Sequence, residues 1–155
     1  MRAAIVPIIA MLARVASAAE PSQHPVSVEL GPKAYRDGDV IQVTDVVSTS
    51  ARLEQGDTVT VKGRVRLDSD SDARLCLYLT QAEGDGLEEA EATQEATLKR
   101  GLTTFELKTT IKHRGVLHLT LYRSTNGKPF GGVYFGTSEQ MQGISDASVQ
   151  HYLAD

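Results

Sequence analysis

The chain has 155 residues, a formal charge of −4, 41% hydrophobic residues, one cysteine and no tryptophan. This is one domain's worth of chain, long enough to bury a core without metal or disulfide support. The acidic balance argues against nucleic acid as a partner, and a lone Cys76 excludes an internal disulfide.

Residues 1–18 read as a secretory signal. Arg2 supplies a small positive region, 3–13 are apolar, and Ala16-Ser17-Ala18 offers a cleavage site before Ala19. Arg14 cuts the apolar run short of the ~20 residues a bilayer span needs, so cleavage is expected rather than anchoring. Cleavage takes Arg2 and Arg14 away, leaving fourteen basic residues against twenty acidic ones, a net charge of −6. Export without disulfides points to a bacterial periplasmic or extracellular protein with no membrane span after processing.

Residues 19–25 are expected as a flexible lead. Val26, Val28 and Leu30 alternate as a first strand, ended by Gly31-Pro32. A second strand covers 40–47, with Ile41 and Val43 on one face. The clearest signal is 57–80. Val59, Val61, Val65 and Leu67 recur at every second position, and Leu75, Leu77 and Leu79 repeat the pattern after Asp68-Ser-Asp-Ser-Asp72. This predicts two strands joined as a hairpin by an acidic turn. Cys76, between two leucines, reads as a small packed residue rather than a nucleophile.

Residues 81–94 break the alternation. They carry Glu83, Asp85, Glu88, Glu89 and Glu91 with no basic residue, and 87–96 allow a helical turn or two. Residues 97–99 suggest a short edge strand. Then 104–112 place Phe105, Leu107 and Ile111 on one face, and 116–123 do the same with Leu117, Leu119 and Leu121. Asn126-Gly127 is a strong hairpin signal before a strand over 130–135, where Gly131-Gly132 suggest a bulge or a close backbone approach. The tail, 138–155, allows a turn capped at Ser138 and a short helix capped at Ser145 or Asp146, carrying Val149, Tyr152 and Leu153.

Seven or eight strands with short connections and no strand–helix–strand alternation predict an all-β, antiparallel sandwich over 26–137 with a short helical tail. Residues 53–65 (LEQGDTVTVKGRV), the polar turn, and 73–79 (ARLCLYL) resemble the first half of bacterial extracellular immunoglobulin-like domains of the cell-adhesion-related, CARDB-like kind. Residues 101–115 and the next strand are similar to the second half of that pattern. Two features depart from it: no Asn-x-Gly follows the first long strand, and the acidic loop after Thr80 is longer. The resemblance implies an immunoglobulin-like fold and a binding or spacing role rather than catalysis.

Motifs for hydrolases, nucleotide binding and zinc sites are absent from the sequence. Asp68, Asp70 and Asp72 echo the start of a calcium loop, but the positions requiring Gly and Glu hold Ala73 and Leu79. A solvated acidic turn is the preferred reading, and no cofactor is expected. His113 and His118 read as a turn residue and an outward strand residue, with no third ligand of zinc type. Tyr78, Tyr122 and Tyr134 fall opposite the leucine rows and form either a sugar- or peptide-binding platform or covered core. The expectation is an exported, non-catalytic β domain that binds a protein or cell-envelope component. The alternatives are a carbohydrate-binding module using the tyrosines and calcium-dependent adhesion.

Overall fold

The computed structural model describes residues 21–87 and 90–154, so the signal segment, Ala19 and Glu20 lie outside it. The strands are β1 (His24–Pro25), β2 (Glu29–Ala34), β3 (Val40–Ser48), β4 (Thr58–Gln81), β5 (Glu95–Thr110), β6 (Gly115–Tyr122) and β7 (Pro129–Gly136). Helix α1 (Ser138–Gln142) and a 3-10 segment (Asp146–Leu153) follow. All strand pairs are antiparallel, in the order β1-β3-β4-β6-β7-β2, with β5 on the other flank of β4.

The predicted hairpin within 57–80 is not one. The two alternating runs do not pair with each other; they are the halves of a single 24-residue strand. Along one flank β4 pairs with β3 as far as Arg66 and with β6 from Arg74 onward. Along its other flank β5 accompanies both halves. Between them Asp68, Ser69, Asp70 and Ser71 stand opposite the single Arg100, a bulge that bends the ribbon into a corner. Gly101, at φ 105°, absorbs the irregularity on β5, and β5's inward residues change from even numbers (Leu98) to odd ones (Phe105, Leu107) across it.

The bend folds the sheet over itself. Residues of the first half (Ile41, Val59, Val61, Val65, Leu107) and of the second (Leu75, Leu77, Leu119, Leu121, Phe135) join in one buried core. The odd-numbered positions of β4 therefore face inward on both sides of the bulge, whose Ser69 and Ser71 are exposed. Orthogonal and folded sheets turn corners in this way, through strands shared by both layers.

Buried Asp39, at the start of β3, holds the corner. Its Oδ1 accepts the amides of Asp68 (2.8 Å) and Ser69 (2.9 Å), and Ser69 Oγ donates to Oδ2. At the opposite, open end Asp57 has the same role. Its carboxylate accepts from Thr49 Oγ1 (2.9 Å), Ser50 Oγ (2.6 Å) and the Glu54 amide (2.9 Å). Burial alone would raise its pKa, but the three donors together hold it below the ordinary carboxylate value.

Three further expectations shift. His24 and Pro25 pair with Ser48 and Val47, and Gln23 exchanges bonds with Thr58 and Thr60, so the end of the lead is part of the sheet. Gly31-Pro32 lies inside β2 instead of ending it; β2 is a terminal strand with a register shift there, where proline's missing donor is tolerated. The short edge strand expected at 97–99 belongs to β5, which continues through it. No helix among the described residues is long and apolar enough to cross a membrane.

Candidate functional site

The outward face of the second half carries the predicted tyrosines, but the tail divides them. Helix α1 is capped by Thr137, one residue before the expected cap: Thr137 Oγ1 accepts the Gln140 amide and Gln140 Oε1 accepts the Thr137 amide. The chain then lays Val149 and Tyr152 against Tyr134, with Met141 and Ile144 beside them. This is possible because β7 offers Gly132 at the contact; a Cβ there would lie 2.7 Å from the Tyr152 ring. Tyr134 is thereby buried, its hydroxyl 2.8 Å from Thr80 Oγ1.

His118, read from sequence as outward, does point away from the leucine core but is covered by the tail. Its Nδ1 lies 2.7 Å from Thr120 Oγ1, which in turn meets the Tyr152 hydroxyl at 2.9 Å. Burial pushes the imidazole pKa down to about 4, and His151 nearby pushes the same way. The ring stands edge-on to Tyr78 (6.3 Å) and tilted against Tyr134 (5.0 Å).

Tyr78 and Tyr122 remain half-buried at the margin of the tail. Their rings meet at 5.9 Å and 61°, and the Arg74 guanidinium lies 5.7 Å from the Tyr122 ring centre. Glu95 Oε1 accepts from Arg74 Nη1 (3.3 Å) and the Tyr78 hydroxyl (3.2 Å). Cys76 Sγ lies 3.8 Å from the same oxygen and is fully buried, which raises its thiol pKa to about 11. Such a thiol is protonated at neutral pH and inert as a nucleophile. The three tyrosines thus make no common platform: two stand at the surface and the third is under the tail.

Asp68, Asp70 and Asp72 occupy the corner and turn to different partners. Asp70 Oδ2 meets Arg123 Nη1 at 3.1 Å, Asp72 lies 3.9 Å from Lys99 Nζ, and Asp68 packs beside Gly38. No cluster of metal-ligating side chains occurs among the described residues.

A cavity of about 340 Å³ lies at the open end between the two halves of the sheet. Leu79, Ile111, Leu117 and Leu87 give it an apolar lining, while Asp85, Glu91, Lys112 and His113 provide charged or titratable groups. Lys112 Nζ lies 3.8 Å from Glu91 Oε1, so one of the two rim carboxylates is paired. The wall forms because β5 starts only opposite Cys76, which leaves Leu77 beyond the β5 ladder. Buried Gln94 serves that position: its Nε2 donates to Leu77 O and its Oε1 accepts the Glu91 amide, both at 2.9 Å. The loop is further tied by Gln81, which bonds Leu87 O (2.9 Å) and the Gly86 amide (3.1 Å). The expected helical turns reduce to one 3-10 turn, Ala92–Gln94; Glu88 and Glu89 lie outside the described residues. The cavity draws on three separate chain segments, which sequence periodicity cannot bring together.

No family model, curated protein or solved structure matches the chain.

Proposed function

We propose that the chain is an exported, non-catalytic β domain whose open-end cavity seats an apolar anchor of a partner protein or cell-envelope component. The observation that carries this reading is the leucine- and isoleucine-walled cavity of about 340 Å³ with the Lys112–Glu91 ion pair at its rim. Ligand pockets have this composition and start at about this size. Export rests on the anatomy of residues 1–18, and the absence of catalysis on the lack of any nucleophile–base or metal motif in the sequence. The immunoglobulin-like, CARDB-like assignment belongs to the same proposal; facing antiparallel layers support it, although a strand shared by both layers is its own variation.

The test is an NMR titration with N-acetyl-leucinamide as the anchor mimic. Shifts should concentrate at Leu79, Ile111 and Leu117, and Leu87→Arg, at an exposed position of the rim, should remove them. An absence of shifts, or shifts spread elsewhere, overturns the reading.

A second reading, glycan binding, is favoured by the half-exposed Tyr78–Tyr122 pair with Arg74 and Glu95 beside it. Aromatic faces flanked by polar groups suit sugars. A glycan array comparing wild type with Tyr122→Ala decides it, and silence of the wild type ends the idea.

A further inference from the structure

The outward face of the first half of the sheet has a separate character. On it β4 presents Lys62, Arg64 and Arg66 in succession, all exposed. Lys62 is shared with acids: Glu106 lies 3.9 Å away and Asp45 is its partner in β3. Arg64 and Arg66 form no ion pair among the described residues. The register sets Arg66 between Val40 and Leu102, and Arg64 between Gln42 and Thr104. Val40 and Leu102 are 41% and 57% exposed. With Gln42 and the two arginines they line a groove of about 360 Å³. A chain of net charge −4 thus keeps two unneutralised guanidinium groups together, bordered by apolar surface.

We infer that this face docks an extended acidic segment of a partner protein, with carboxylates at alternate positions. The argument is charge and spacing. Guanidinium groups present paired donors that match carboxylates bidentately. Side chains two apart on one strand are separated by roughly 6.6–6.8 Å, so Arg64 and Arg66 match the repeat of another extended strand. Val40 and Leu102 then cover the apolar parts of that segment. Arginine beside exposed aliphatic residues is also a common composition for protein interfaces, in which lysine is depleted. A second copy of the chain does not fit: about a two-fold axis this face would meet itself, arginine row against arginine row. The groove shares no residue with the open-end cavity, so the inference stands apart from the function proposed above.

The experiment uses three probes with the mature protein at low salt: a fluorescent peptide of alternating Glu and Thr, an isomer of the same composition with its glutamates in one block, and phosphatidylglycerol vesicles. The alternating peptide should bind most tightly and weaken as salt rises. Arg64→Glu and Arg66→Glu should each lower its affinity about tenfold or more, while Arg64→Gln gives a smaller loss. Melting temperatures should stay at the wild-type value, because both side chains are exposed. No binding of the alternating peptide, equal binding of the blocked isomer, tighter binding of vesicles, or undiminished affinity in Arg66→Glu each overturns the inference.

Discussion

Between pH 6.5 and pH 4, acid should loosen this protein through His118. His118 is buried beneath the tail with a pKa of about 4, against 6.5 for a free imidazole. In the unfolded chain the ring takes up a proton below about pH 6.5; in the folded protein it does so only near 4. Its contribution is therefore intact above pH 6.5 and is lost as pH falls toward 4. At about 1.4 kcal/mol per pKa unit the loss is roughly 3 kcal/mol, a substantial share of a typical domain's 5–15 kcal/mol. The control is His118→Phe, an apolar ring that cannot take up a proton and leaves Thr120 and Tyr152 bonded to each other. Denaturant midpoints from pH 7 to pH 4 should fall more steeply in the wild type than in the variant, by about that amount. Subtracting the two curves removes the acid sensitivity that both proteins share. Parallel curves would refute the assignment of this acid sensitivity to His118.

Other outcomes follow from the same packing. Gly132→Ala places a methyl 2.7 Å from both the Tyr152 ring and the Leu119 carbonyl oxygen, so it should strain the pairing of β6 with β7 as well as displace the tail, and cost about 1–3 kcal/mol, with increased amide exchange over residues 146–153. Asp39→Ala leaves the Asp68 and Ser69 amides at the corner without their acceptor and should lower stability by about 2–3 kcal/mol in urea melts. Asp57→Asn should flatten the acid limb below pH 4, because a depressed carboxylate stabilises the fold above its ordinary pKa and ceases to as pH falls through its folded value. Millimolar calcium should leave the melting temperature unchanged, since Asp70 and Asp72 are already matched to Arg123 and Lys99.

Much of the architecture was legible from alternation alone. The inward positions of β4 and β6, the Asn126-Gly127 turn and the packed Cys76 follow from period two and turn chemistry; β7 does not, since Phe130, Val133 and Phe135 all enter the core. The meaning of Asp68–Asp72 does not. An acidic run of Asp and Ser fits a hairpin turn and a bulged corner equally well. The choice is made by partners far along the chain: Asp39, which binds the bulge, and β5, which accompanies both halves. Alternation places Tyr134 and His118 on the face opposite the leucines, but their burial depends on a tail whose helical spacing says nothing about where it docks. The corner and open-end carboxylates, Asp39 and Asp57, sit in stretches that read only as turns.

The bent ribbon of β4 and β5 also governs how the molecule comes apart. Each layer borrows half of both strands, so neither layer contains a complete set of ladder bonds without the other. The two layers are joined through β4 and β5, so the amides bonded between these two strands should be among the slowest to exchange with solvent, while the terminal strands β1 and β2 exchange sooner. The tail is the exception: it rests on the finished sheet and contributes no strand to it. It can lift while the sheet stays closed, so the covering of Tyr134 and His118 should open more readily than the sheet beneath.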